Sequence, residues 1–139
     1  MRLNKVYVST EASQQLNMLK QRTNLTPNIA CRMGFILSLE EYGPPSVEEF
    51  GGKSEREFNW STLFGHHDQL YMAYLKERLL QDGIDIEQES NLEEQLYLHL
   101  NRGVFLIFKR VRQIEDIGLL LPQNRPSNRL NKGEEWLWE

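Results

Sequence analysis

The sequence predicts a mainly α-helical single domain of four helices, preceded by a short strand, with a long loop between the second and third helices. Three observations support this fold class. The 139 residues, 40% of them hydrophobic and 26% charged, suit one globular core. An alternating stretch near the N-terminus is typical of a strand, and four later segments repeat apolar residues at helical spacing.

The first elements are predicted by the stretch KVYVS and the residues that follow it. Val6 and Val8 would share one face of a strand. Ser9 or Thr10 can then cap a first helix through a side-chain oxygen. The apolar stripe of that helix consists of Ala12, Leu16 and Leu19.

The second helix has the clearest start signal. Thr26 is a good N-cap, and Pro27 suits the first helical position, where its missing N–H is not needed. The order strand, helix, short turn, helix is that of a ribbon-helix-helix unit. The predicted inward stripe of this helix consists of Ile29, Met33, Ile36 and Leu37.

The remainder of the chain predicts a connector, two more helices and a tail. Residues 42–62 are rich in proline, glycine and acidic residues and predict a long connector. A third helix is expected from about Ser61 or Thr62 to Gln81, and a fourth from Asn91 to Glu115. Gly103 inside the fourth helix indicates close approach of another backbone. We expect one domain over residues 1–117 and a polar tail over 118–139.

The charge distribution is uneven although the net charge is only -4. Residues 1–39 contain five basic side chains and one acidic side chain, whereas residues 40–57 contain two basic and six acidic ones. A local basic face can therefore meet a polyanion in a protein whose overall charge is negative.

The turn before the second helix is a candidate phosphate site. Free N–H groups at a helix start attract anions, and Arg22, Asn28 and Arg32 can lie around this one. The alternative is that Thr26 and Pro27 only start the helix and that the arginines are solvated. Further basic residues lie in the fourth helix, at Arg102, Lys109, Arg110 and Arg112.

Residues with catalytic or metal-binding chemistry are few. His66 and His67 are adjacent and would diverge on a helix, so the sequence predicts no metal site and no cofactor. The single cysteine, Cys31, cannot form an internal disulfide and is expected to pack in the core. Without a long apolar run or a secretory signal, we expect a cytoplasmic protein with no membrane contact.

Several segments together resemble one known family. LKQRTNLTPNIACR, EFNWSTLFG, LKERLLQDGID and LNRGVFLIFKRVR occur in this order, and the sequence is similar to the DndE family of bacterial DNA sulfur-modification (phosphorothioation) proteins. The resemblance covers residues 1 to about 117. The tail over 118–139, with its tryptophans, lies outside it.

The resemblance implies a small helical homotetramer that binds double-stranded DNA and prefers nicked DNA. Its partners would be a cysteine desulfurase, an ATP pyrophosphatase-like sulfurtransferase and a chromosome-maintenance-like ATPase, which together replace a non-bridging phosphate oxygen with sulfur. In such a protein basic residues line a shared DNA surface, for which Lys20, Arg22 and Arg32 are the matching positions. The full set of DNA-binding candidates is Lys5, Lys20, Arg22, Thr26, Asn28, Arg32, Arg102, Lys109, Arg110 and Arg112.

Three alternatives remain open from the sequence. The family is also described as having nicking activity, and a nickase would use His66, His67 or acidic residues with a metal. A ribbon-helix-helix transcription regulator would instead read the major groove with Lys5, Tyr7 and Ser9 of paired strands. In the third alternative the chain is an assembly scaffold, whose broad apolar fourth helix binds the ATPase.

Overall fold

The computed structural model describes residues 4–120 as a mainly helical domain with one small sheet. The expected helical single domain and N-terminal strand are confirmed. None of the helices in this range is long and apolar enough to span a membrane. The elements in chain order are β1 Lys5–Ser9, α1 Thr10–Thr23, α2 Pro27–Glu40, α3 Val47–Phe50, β2 Ser54–Asn59, α4 Trp60–Phe64, α5 Asp68–Gln81 and α6 Glu89–Arg110.

β1 pairs in antiparallel fashion with β2 of the same chain. Val6 and Val8 are buried against the helices, as their alternation predicts, while Lys5 and Tyr7 face solvent. Within the described residues the strand therefore belongs to an intramolecular sheet. The predicted strand, helix, turn, helix order of a ribbon-helix-helix unit is present over β1, α1 and α2, but residues 54–59, predicted to be part of a loop, supply a partner strand for β1 within the chain.

The predicted helix caps are confirmed. Ser9 caps α1 by accepting a hydrogen bond from the backbone N–H of Ala12 at 3.1 Å. Thr26 caps α2 in the same way, with Pro27 at the first position. Extended backbone at each cap residue and a short oxygen acceptor stabilise these helix starts. The buried stripe of α1 is the expected one, Ala12, Leu16 and Leu19.

The inward face of α2 differs from the prediction. Ile29 is 43% exposed, and small residues take the buried positions. The reason is the approach of α6: a Cβ added to Gly34 would lie 2.5 Å from the carbonyl oxygen of Gly103. The predicted backbone contact at Gly103 is thus confirmed. No side chain fits between the backbones at Gly34, so the fully buried residues of α2 lie around it and are Ala30, Cys31, Gly34, Phe35 and Ser38. The predicted Met33, Ile36 and Leu37 are partly buried at the edge of the core.

The predicted loop between the second and third helices was wrong, because residues 42–62 contain α3, β2 and the start of α4. The predicted third helix is also divided. Gly65 has a positive φ of 65° and begins a 3-10 turn that separates α4 from α5. α6 ends at Arg110, earlier than expected, and a 3-10 segment follows over Ile114–Leu120. Residues 121–139, most of the predicted tail, lie outside the described part.

Two buried arginines hold the end of α2. Arg78 donates to the carbonyl oxygens of Leu39, Glu41 and Gly43 at 2.7, 2.6 and 2.5 Å. Its Nε also pairs with Asp82 at 2.9 Å. Arg102 donates to the Ser38 carbonyl at 2.7 Å and to the Gly43 carbonyl at 3.0 Å. Carbonyls at a helix C-terminus lack intrahelical donors and carry partial negative charge, so the guanidinium groups satisfy and neutralise them.

A fully buried histidine lies beside this pair. His99 Nδ1 is 2.8 Å from Ser38 Oγ, which already accepts a hydrogen bond from Arg102 Nε. The serine oxygen has two lone pairs, so it can donate to Nδ1 or accept from it as well as accepting from Arg102, and the contact fits either histidine tautomer. His99 Nε2 is buried and has no hydrogen-bond partner among the described residues. Burial, with Arg102 and Arg78 close by, lowers the pKa of His99 from 6.5 to about 3.

The domain should lose stability at mildly acidic pH through His99. The folded pKa lies below the unfolded one, so between pH 6.5 and 3 the unfolded state binds a proton that the folded state does not. The contribution is complete above pH 6.5, and its loss amounts to about 2 kcal/mol at pH 5. Urea unfolding at pH 7 and pH 5 measures it. In His99→Gln, which keeps an acceptor for Ser38, the loss should be smaller by this amount, and equal losses would contradict the assignment.

Candidate nucleic-acid interface

The turn between α1 and α2 brings two helix ends together. Asn24 ends α1 in the left-handed conformation, with a φ of 64°, and its N–H bonds to the Lys20 carbonyl at 2.8 Å. Only three residues separate the helices, so the last turn of α1 lies next to the first turn of α2. The first turn of α2 contains no acidic side chain, which leaves its positive end without a compensating charge.

Arg22 connects this turn to the end of α6. Its Nη1 lies 3.4 Å from the carbonyl oxygen of Phe108 and 3.3 Å from that of Val111. The guanidinium carbon also lies 4.4 Å from the centre of the Phe108 ring. Because Ser9 at the start of α1 bonds to Asn101, α1 and α6 run in the same direction and their C-terminal ends coincide. The sequence could not show this coincidence.

Exposed cations cluster at these coincident ends. Lys20 is exposed in the last turn of α1, and Lys109 and Arg110 are exposed in the last turn of α6, with Arg112 just beyond. Lys109 Nζ lies 5.1 Å from the centre of the Phe105 ring, and Arg110 approaches Glu41 at 4.0 Å. We call the exposed Lys20, Lys109, Arg110 and Arg112, together with the half-buried Arg22 that joins the two helix ends, the basic end.

Thr26 and Asn28 lie at the start of α2, next in the chain to the last turn of α1. Thr26 is exposed and its hydroxyl accepts from the Ile29 N–H at a long 3.5 Å. Asn28 is half-buried in the first turn of α2. Both can therefore present polar groups, together with free backbone N–H groups, to an anion.

Arg32 does not join Arg22 as expected. Its Nε donates to the Leu63 carbonyl, and its Nη2 donates to the Thr62 carbonyl at 3.1 Å. The side chain therefore fastens α4 to α2, while Arg22 turns toward α6. The two arginines predicted to surround one phosphate bind different parts of the fold.

Two other residues predicted to contact DNA, Arg102 and Lys5, bind groups of the protein itself. Arg102 is only 6% exposed, and its guanidinium serves Ser38 and Gly43, so it cannot reach a nucleic acid. Burial, and next the nearby Arg78 guanidinium, lower its pKa from the ordinary value. Lys5 lies on the sheet and pairs with Glu57 at 2.6 Å, which raises the pKa of Lys5. Neither residue belongs to the basic end.

A purely structural role for the basic end must be weighed against ligand binding. Cations in the last turn of a helix stabilise its negative end by about 0.3–1 kcal/mol each. That role accounts for Lys20 and Arg22 in α1 and for Lys109 and Arg110 in α6. This stabilising role does not explain why the C-terminal ends of α1 and α6 lie together, or why a further cation, Arg112, follows α6.

The histidines and the cysteine considered for chemistry lie apart from the basic end. His66 and His67 are exposed on the 3-10 turn after α4. No group of three or more histidine, cysteine or acidic side chains in this range is placed to hold a metal ion. Cys31 is buried, and burial raises the pKa of its thiol to about 12, so it is not a nucleophile at neutral pH.

The fold and the basic end define a class, that of small, mainly helical proteins with basic side chains at one end. Residues 5–114 match the protein family described as DNA sulphur modification protein DndE. The chain therefore belongs to the DndE family. No curated protein matches it.

Solved structures agree with this assignment. The chain is similar to the crystal structure of DndE from Escherichia coli B7A, a protein involved in DNA phosphorothioation modification, with a TM-score of 0.60 and 28% identity. That match covers 77% of this chain and 98% of the other. A DndE mutant with glycines replaced by lysine has a TM-score of 0.55, 24% identity and coverage of 76% and 99%, which shows likeness of fold alone.

Proposed function

We propose that this DndE family member is a DNA-binding subunit of the phosphorothioation machinery, and that its basic end contacts the backbone of double-stranded DNA. Family membership supports a role in the sulfur-modification system. The observation that supports the site is the contact of Arg22 with the end of α6, which puts cations from two helices on one end of the molecule.

The expected binding mode follows from the kind of groups available. Lysines and arginines on helix ends meet phosphates and do not read base edges, so the protein should bind without sequence preference. The polar groups of Thr26 and Asn28 add neutral hydrogen bonds beside the cations. Selection of the modified sequence is then left to partner proteins, among which we propose a sulfurtransferase, an ATPase and a cysteine desulfurase acting together in the cytoplasm.

Assembly and nicked DNA belong to the same proposal. One copy offers few cations, so its affinity for DNA is modest and falls steeply with salt. A homotetramer would present the basic end four times and raise the overall affinity through effective concentration. A nick makes the duplex easier to bend onto such an assembly, which favours nicked DNA. We assign this role to residues 1–117 and not to the tail.

Removing two lysines of the basic end should weaken DNA binding. In Lys20→Ala/Lys109→Ala, the slope of log affinity against log salt should fall by about one to two, and affinity at low salt should fall about tenfold or more. Fluorescence anisotropy with matched nicked and intact duplexes measures both quantities. Wild type should prefer the nicked duplex.

The matched control is Lys53→Ala/Lys76→Ala, which removes two lysines outside the basic end. Its affinity and salt slope should stay near those of wild type. Equal losses in both variants would show that only net charge matters. Negligible, salt-independent binding by wild type would reject the DNA-binding role.

A further inference from the structure

A groove lies between the outer edge of β1 and the N-terminal half of α6. It has a volume of about 590 Å³ and is lined by residues of β1, the start of β2 and α6. None of its lining residues belongs to the basic end. Those the argument uses are Lys5, Tyr7, Gly52, Glu93, Glu94 and Tyr97.

The strand edge in this groove is open. The Asn4 carbonyl accepts from the Trp60 N–H, which makes residues 4, 6 and 8 the positions whose backbone groups bond to β2. The backbone N–H and C=O groups of Lys5, Tyr7 and Ser9 therefore point the other way. At Ser9, the Asn101 side chain accepts the N–H at 2.9 Å. The outward backbone groups of Lys5 and Tyr7 form no hydrogen bond with any group of residues 4–120.

The helix follows the strand edge in register. Four helical residues rise about 6 Å, and two strand residues rise nearly 7 Å. Ser9 contacts Asn101. Two strand residues before Ser9, Tyr7 therefore lies near Tyr97, which is four helical residues before Asn101. By the same spacing, Lys5 lies near Glu93 and Glu94. The Tyr97 hydroxyl donates to the Gly52 carbonyl and fixes the floor of the groove. The space between the helix and the strand gives an extended peptide access to the edge at Lys5 and Tyr7.

The unpaired acidic side chains of the groove favour a basic peptide. Lys5 is neutralised by Glu57 at 2.6 Å. Glu93 and Glu94 are exposed and form no ion pair with any described residue.

We propose that this groove binds an extended, basic segment of a partner protein as an added strand on β1. Main-chain hydrogen bonds to Lys5 and Tyr7 would hold the segment, as in β-strand addition elsewhere. Alternate side chains of a strand point the same way, so lysines or arginines at every second position would face Glu93 and Glu94. This surface is separate from the basic end and does not depend on DNA binding.

A labelled heptapeptide of alternating arginine and valine tests the proposal by fluorescence anisotropy. Wild type should bind it, and Glu93→Gln/Glu94→Gln should weaken binding about tenfold or more. Tyr7→Pro should weaken it similarly, because proline removes the outward N–H and spares the bonds to β2, whereas Tyr7→Val should bind better than Tyr7→Pro.

Matched controls test whether the groove, and not the overall charge of the protein, binds the peptide. Glu87→Gln/Glu89→Gln, which removes two exposed carboxylates outside the groove, should bind as wild type does. A peptide with the same arginines in one block should bind more weakly than the alternating one. Equal binding of both peptides, unchanged binding by Glu93→Gln/Glu94→Gln, or a change of oligomeric mass in that variant would overturn the proposal. The glutamine variants keep the test valid if Tyr7→Pro does not fold.

Discussion

Replacing Arg78 with alanine should lower the free energy of unfolding by about 3–5 kcal/mol. The side chain is 8% exposed and serves three carbonyl oxygens at the end of α2, with Asp82 as its ion-pair partner. Removing it leaves buried carbonyls without donors and Asp82 without its cation, and each unsatisfied group costs about 1–3 kcal/mol. Urea unfolding followed by circular dichroism measures the loss.

Two further variants test the geometry of this contact. Arg78→Lys keeps the charge but cannot reach three acceptors at once, so its loss should be intermediate. Arg112→Ala removes an exposed cation of the basic end and should change stability by about 0.5 kcal/mol or less. A loss in Arg78→Ala as small as that in Arg112→Ala would show that the arginine does not hold the end of α2.

Gly103→Ala should cost about 3 kcal/mol or more. The added methyl group would collide with the backbone of Gly34 and Phe35 on α2. Backbone atoms cannot rotate away as a side chain can, so α2 and α6 would have to separate. Because that crossing joins the two helices with the most extensive mutual contact in the described domain, the loss should appear as a lower urea midpoint of the whole domain.

The chain offers a matched control for this substitution. A Cβ at Gly118 would meet nothing within 4 Å, so Gly118→Ala should be neutral or slightly stabilising. Gly34→Ala should resemble Gly103→Ala, since its Cβ would lie 2.5 Å from the Gly103 carbonyl oxygen. Stability of Gly103→Ala within about 1 kcal/mol of wild type would contradict the close crossing.

The local elements could be predicted from the sequence because their signals are local. The alternation of Val6 and Val8, the caps at Ser9 and Thr26, and the spacing of leucines in α1 each determine a nearby structure. The face of α2 could not be predicted, since its small residues turn inward only because Gly103, far along the chain, admits a close backbone. The second strand was missed because its charged sequence SEREFN lies on the surface.

The candidate site was only partly predictable for the same reason. Basic residue type and helix position indicated Lys20, Arg22 and Lys109, and these lie on coincident helix ends. The neighbouring sequence does not distinguish Arg102 from Arg112. Arg102 is nevertheless buried, with its guanidinium against the end of α2, whereas Arg112 is exposed. The role of Arg78 could not be predicted from the sequence, because the carbonyl oxygens that accept its hydrogen bonds lie more than thirty residues earlier in the chain.

Cross-linking from defined positions tests the DNA interface most directly. Cys31 is the single cysteine and is buried, so an introduced surface cysteine can be labelled selectively with a photoreactive group. Gln21→Cys and Gln113→Cys place the group beside the basic end, whereas Glu55→Cys and Gln81→Cys place it elsewhere on the exposed surface. Irradiation with a nicked duplex should cross-link DNA to the first two variants and not to the last two. Cross-linking confined to residues 55 or 81, or equal at all four positions, would contradict a DNA-binding surface at the basic end.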